Sequence, residues 1–328
     1  MQKTTMAVVI ALGMASITVT AASGVTFGGD FTYDFSMVSG EENGNASRAL
    51  LNLDAEFDLS SILGDGASFT LGTAFQRGYG VSELEDAQGF DNIDADNFED
   101  LYEIVLQFTL NESGIIKIGQ QDANTDFAAP EFAGEFINSS MGFSPTVALP
   151  TYPKPVLAVS YIQKFSNSLS LSFGLFDNAN SEDSFDDNFS IVQAGYGISD
   201  KTTIQLGYWR DSALGTGDIY VIVDHRFRDD LVGFAQFGSA DMDIVGIEYH
   251  IGFGIQKDGV FTGEDIAGLG YTQVSDNNTE EGVIDVFYGQ NVSDWLNVKA
   301  DLQYISSPGL NDDIDNALAF TLRFTSEF

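Results

Sequence analysis

At 328 residues without a cysteine, the chain is long enough for two ordinary domains or one large barrel, and it holds no disulfide or thiolate metal site. Asp and Glu outnumber Lys and Arg by 49 to 13, which argues against any surface that tracks nucleic-acid phosphates. Phe (27) and Gly (34) are plentiful and Pro (6) is scarce, a composition suited to many strands with one face in lipid and glycine where they bend.

The chain begins MQKTTMAVVIALGMASITVTAAS. A lysine, a short apolar run and then small residues are the layout of a secretory signal peptide, cut after Ala21 or Ala22. A transmembrane helix is the competing reading, but Met6–Val19 is too short and too rich in Ser and Thr. The expected organisation is a signal over 1–22 and one domain over 23–328.

From Val25 onward the pattern is period two. Val25, Phe27, Phe31, Tyr33 and Phe35 alternate with Thr26, Gly28, Asp30, Thr32 and Asp34, and Leu51, Leu53, Ala55, Phe57 and Leu59 with Asn52, Asp54, Glu56 and Asp58. Tyr102–Leu110 and Leu296–Tyr304 repeat the scheme. Alternation alone fits a soluble sandwich with its apolar face inward. Segments of about ten residues, aromatics at segment ends (Phe57, Phe75, Phe165, Tyr208, Phe324) and alternating short and long connections favour a membrane barrel.

Sixteen strands are predicted, near 24–37, 48–58, 67–77, 100–110, 115–121, 156–165, 168–177, 189–197, 202–211, 218–227, 231–238, 243–254, 265–274, 282–290, 295–305 and 317–328. Links after even strands are tight, with 59–66 and 255–264 as exceptions; those after odd strands are longer, notably 78–99, 122–155, 178–188 and 306–316. The fold class is therefore all-β, a transmembrane antiparallel β-barrel of about 16 strands with both termini periplasmic. A terminal Phe328 after Leu318, Phe320, Leu322 and Phe324 resembles the assembly signal of outer-membrane barrels.

The 122–155 link is too long for an ordinary loop and too apolar to sit in water. It carries Phe127, Phe132, Phe136, Phe143 and Tyr152, and Pro130, Pro145, Pro150, Pro153 and Pro155 stiffen it. It is expected to fold inward as a constriction loop.

Three blocks resemble the carbohydrate-selective porins of the OprB type: IGQQDANTDFAAPEFAGEFINSSMGFSP followed by PTYP, GFGIQKDGVFTGEDIAGLGYTQV, and VFYGQNVSDWLNVKADLQYISSPG followed by NALAFTLRF. The resemblance covers roughly a third of the mature chain and implies a passive sugar channel in a Gram-negative outer membrane. General or cation-selective diffusion is the alternative, and an adhesive or structural role a lesser one.

Alternation places Asp30, Asp34, Asp54, Glu56, Asp58, Glu103, Glu248, Asp285 and Asp301 in the lumen, with few bases: Lys117, His250, Lys299 and Arg323. The expected pore-constriction and substrate contacts are Asp126, Glu131, Glu135, Asn138, Phe132, Phe136, Lys117 and Arg323. Carboxylates and amides suit sugar hydroxyls, which donate and accept, and carboxylate rings also favour cations. Phe127, Phe132 and Phe136 are the expected anchors. The 78–99 link, with Glu83, Glu85, Asp86, Asp91, Asp94, Asp96 and Glu99, reads as a solvated outer rim bridged to lipopolysaccharide by divalent ions. It lacks the glycine and spacing of an EF-hand, so no dedicated metal site is expected there. No cofactor is expected, and neither His225 nor His250 has a motif that makes an enzyme. His225 is expected to face outward near a turn in a structural role. A monomer is not assumed, since general porins sharing this barrel are often trimers.

Overall fold

The computed structural model describes residues 24–40, 43–80, 84, 86–111, 113–178 and 184–328. The expected signal over 1–22 lies outside them, as do Glu83 and Glu85. Sixteen antiparallel strands close into one barrel in sequence order, with β1 paired to β16. They are β1 Val25–Ser39, β2 Gly44–Asp58, β3 Ser68–Gly80, β4 Phe98–Leu110, β5 Gly114–Gln121, β6 Val156–Ser166, β7 Leu169–Asp177, β8 Asn188–Ser199, β9 Thr202–Asp211, β10 Ile219–Arg228, β11 Leu231–Ser239, β12 Tyr249–Asp258, β13 Asp265–Ser275, β14 Glu280–Ser293, β15 Leu296–Ser306 and β16 Ala317–Glu327. Closure leaves no sheet edge, so every strand finds its backbone partners within the wall.

The direction of the alternation decides between sandwich and barrel. Phe31, Leu53, Phe75, Phe173, Leu206, Phe253, Leu269 and Leu302 are exposed on the outside. Their neighbours Thr32, Gln76, Ser172, Gln236, His250, Asp301 and Gln303 are buried inside. An apolar outer face over a polar interior is the inverse of a soluble sheet protein and the arrangement a bilayer demands.

Several strand ends differ from the sequence expectation, most of all those of β12. β12 starts at Tyr249, not at 243, because Asp241 accepts a bond from the Asp243 backbone N and caps a one-turn helix α3, Met242–Val245. Glu248, expected on the lumen wall, therefore sits in the connection before the strand. β12 also runs on to Asp258, which shortens the next link to 259–264. The other long link on the short-turn side, 59–67, contains a one-turn helix α1, Ser60–Leu63.

The interior is filled by loop. The 122–155 segment enters the barrel and packs its apolar residues on the inner wall in two clusters. Phe127 is fully buried among Phe176, Phe189, Trp209 and Tyr220 on β7 to β10. Phe136 and Met141 meet Phe234 and Phe287 on β11 and β14, with ring centroids of Phe136 5.8 Å and 5.0 Å from the two phenylalanines. Gly254 and Gly270 make the notch for the Phe136 ring: a Cβ at either position would come within 2.8 Å of ring carbons.

Residues 86–97 of the 81–97 connection are a correction. They are not a solvated rim throughout: Gln88, Phe90, Asp91 and Ile93 are buried inside the barrel, while Asp94, Asp96 and, at the start of β4, Glu99 are exposed. Phe90 packs against Val38, Val283, Ile305, Ala317 and Ala319, and Ile93 against Leu50 and Ala74. The physical reason is that the wall supplies the bases this segment lacks, as described next.

Candidate functional site

The two inward segments are joined to each other and to the wall. Asn92 N donates to Ile137 O (2.9 Å), Ser139 N to Gly89 O (2.8 Å), and Ser140 Oγ to Gln88 O (3.1 Å). Five wall glutamines then clamp loop backbone, each offering a side-chain amide that matches a peptide group. Gln76 Nε2 donates to Ile93 O, Gln205 Nε2 to Ala129 O, Gln236 Nε2 to Ser140 O and Met141 O, and Gln303 Nε2 to Phe90 O, while Gln193 Oε1 accepts from Ala128 N. At the base of the larger loop, Asp122 accepts from Asn124 N, from the Tyr102 hydroxyl (2.5 Å) and from Tyr152 N. This ties the loop's first residues to its last.

Charge is arranged as wall base against loop acid. Arg323 on β16 makes a two-pronged contact with Asp34 on β1 (Nε–Oδ1 2.9 Å, Nη2–Oδ2 2.6 Å) and reaches Asn92 Oδ1 at 2.7 Å. Arg48 on β2 holds Asp91 (3.3 Å) and Asp94 (2.5 Å) and lies over the Phe90 ring. Asp91 also faces Arg323 at 3.4 Å, so one buried carboxylate is shared by two guanidinium groups. Lys299 on β15 pairs with Glu135 at 2.7 Å and sits over Phe287; Lys117 on β5 pairs with Asp126 at 2.7 Å. On β10, Arg226 lies over the Phe132 ring at 5.2 Å, and Asp224 accepts from Phe132 N.

The expected site residues divide into two groups. Asp126, Lys117, Glu131, Glu135 and Phe132 keep part or all of their surface open. Arg323, Phe136 and Asn138 do not: Arg323 is 8% exposed, Phe136 2% and Asn138 1%. Asn138 caps the one-turn helix α2, Ser139–Gly142, and donates to Gln303 Oε1 at 3.1 Å. Asn138 was expected to face the permeant, and burial makes it an anchor; Phe136, expected both as an anchor and as a pore contact, is buried as an anchor.

Sequence reasoning passed over Arg48, Arg226 and Asp224, and placed Asp91 and Asp94 on an outer rim. Parity was the available signal for three of them, because Arg48 shares the face of Asn52 and Asp54, and Arg226 and Asp224 share that of Ile222. Towards the 59–67 link, Asp54 and Glu56 are exposed on the lumen face.

The histidines are structural. His250 is buried between Ser144 Oγ (Nδ1, 3.0 Å) and Thr272 Oγ1 (Nε2, 2.7 Å). The Ser144 contact ties loop to wall, and no carboxylate orients the ring's other nitrogen as a serine–histidine relay requires. His225 sits beside Thr202 Oγ1 at 2.9 Å with its ring against Phe227.

Comparison with known proteins agrees with this barrel. Residues 211–328 match the family described as carbohydrate-selective porin, OprB. That span carries β10 to β16, including Arg323, Lys299 and the Gln303 clamp. Porin B of Pseudomonas aeruginosa is 43% identical over 44 residues, which is 13% of this chain and 10% of that protein. The chain thus aligns with only about a tenth of that relative's length. The high-pH structure of Pseudomonas putida OprB superposes with a TM-score of 0.81 at 18% identity, covering 93% of this chain and 94% of the other. OmpT of Vibrio cholerae, as a loop-deletion mutant, gives 0.61 at 12% identity over 93% and 99%. At these identities the structural likeness speaks for the fold.

Proposed function

We propose that the chain is an outer-membrane porin that passes small hydrophilic solutes, sugars above all, by passive diffusion through a pore narrowed by its two inward segments. The observation that carries this reading is the facing set of wall bases and loop acids, Lys117–Asp126, Lys299–Glu135 and Arg48–Asp94, with Glu131 unpaired among the described residues. Donors and acceptors placed side by side suit hydroxyls, which are both, and ion pairing leaves less net field to hold or repel a neutral solute. Phe132, half-buried under Arg226, offers a ring face for the apolar side of a sugar. The proposed contacts are Asp126, Glu131, Glu135, Lys117 and Phe132.

Cation passage is a second reading, favoured by the excess of acids in the chain and by open Asp54 and Glu56 in the periplasmic half. Residues 1–22 as an export signal, 23–328 as the barrel domain, divalent bridging to lipopolysaccharide and assembly into oligomers complete the proposal. Liposome swelling with a panel of sugars, amino acids and salts tests it. Monosaccharides should enter faster than amino acids of equal size; equal rates for all would leave only general diffusion.

A further inference from the structure

Outward of the constriction, where the return limb of the 122–155 loop climbs to β6, a cavity of about 250 Å³ opens at the barrel mouth. Its floor is Phe189, whose ring is stacked on Trp209 at 5.9 Å and 17°, with Leu149 and Pro150 from the loop beside it. Three charged groups stand around this apolar floor. Lys154 is exposed and makes no ion pair among the described residues. Asp177 accepts from Asn178 N and Phe185 N, and Asp211 from Leu214 N, through Oδ1 in each case. Their Oδ2 atoms carry no further hydrogen bond among the described residues.

We propose that this cavity is an antechamber subsite that holds a single neutral monosaccharide ring before it reaches the constriction, an inference that rests on the carbohydrate reading above. The volume equals about eight waters at ~30 Å³ each, which suits one sugar ring better than two. The C–H face of the ring lies on half-buried Pro150, with Phe189 and Leu149 packed beneath it. Its hydroxyls donate to Asp177 and Asp211 and accept from Lys154. Two carboxylates against one ammonium repel anions, and a neutral ring can use all three groups through hydrogen bonds. Open access keeps the binding weak, as passage requires.

The test uses the full barrel in detergent with Trp295→Phe, which leaves Trp209 as its sole indole, since the chain has two tryptophans. Titration with glucose should give a saturable change in emission, and equilibrium dialysis against labelled glucose should give the same midpoint. Lys154→Ala and Asp177→Asn should each weaken that midpoint about tenfold, the effect of one hydrogen bond to a charged group. Both variants should keep the heat-sensitive gel mobility of a folded barrel. Absence of saturation in dialysis, indifference to both substitutions, or binding of free arginine in preference to glucose would overturn the subsite. Sugar-selective swelling without saturable binding would remove the subsite alone. Saturable binding with unselective swelling would leave the subsite standing and remove the carbohydrate filter.

Discussion

Two segments narrow the same lumen by different chemistry. The 122–155 loop is held by rings: Phe127 and Phe136 fill pockets on adjacent stretches of the wall, β7 to β10 and β11 to β14. The 86–97 segment has Phe90 and Ile93 as its apolar grips, but its most buried group is a carboxylate, Asp91, set between Arg48 and Arg323. An apolar anchor needs only a cavity, whereas a charged anchor needs named partners and fails if one is removed. The larger loop should therefore tolerate point changes, and the smaller one should behave as all or none.

Removing Ala128–Ser139 should have the largest effect, because it takes away Phe132, Phe136 and the Lys299–Glu135 pair together. Single-channel conductance should rise severalfold and sugar preference disappear while the barrel still folds. A deletion variant that discriminates solutes like the parent would show that this loop is not the filter.

Next comes Arg323→Ala, which leaves Asp34 and Asp91 buried with one fewer partner and should cost about 3–5 kcal/mol. We expect residues 86–97 to become open to protease from the outside and conductance to rise. Unchanged cleavage would show that Arg48 and the glutamine clamps suffice. Phe136→Ala should cost a comparable or smaller amount, about 3–5 kcal/mol before the cavity relaxes. Here the loop stays in place, held by the Gln193, Gln236 and His250 bonds, so thermal stability should fall with little change in conductance.

Acidity should act on the smaller segment through Asp86. Burial, reinforced by the neighbouring charge of Glu281, pushes the Asp86 carboxyl up to about 7. Its value in the unfolded chain is near 3.9, so the bound proton favours docking fully below about pH 4, and that contribution is lost as pH rises through about 7. Hydrogen exchange over 86–97, corrected for intrinsic rates, should show more protection at pH 5 than at pH 8. Asp86→Asn should flatten the difference, and equal protection at both pH values in the parent would contradict it.

The smallest effect is on ions. Unpaired Glu131 and open Asp54 and Glu56 should give a modest cation preference that fades at high salt as screening shortens their reach. Reversal potentials under a salt gradient measure it. Glu131→Gln should reduce it slightly, and clear anion preference would mean that Arg226 and Lys117 dominate the aperture.

The contrast between the segments also explains what the sequence made legible. All sixteen strands and the inward loop were readable because alternation and a run of aromatics are local signals. The start of β12 was misplaced because the Asp241 cap mimics the beginning of an alternating strand. The smaller segment was misread as outer rim because its counter-charges lie 43 and 232 residues away, on β2 and β16. No local pattern marks a carboxylate whose partners arrive only with the closed barrel. Arg48 and Arg226 were within reach through parity. Burial of Asn138 was not, since it depends on Gln303, 165 residues distant.

The Arg323–Asp34 contact spans the seam where the last strand meets the first. Before that seam zips, Arg323 is still absent from the place where Asp91 must dock, and Gln303 on the neighbouring strand cannot yet clasp Phe90. Construction and selectivity are thus coupled in time. The 86–97 half of the aperture therefore depends on the closed seam, whereas the 122–155 half rests on β7 to β14 and does not.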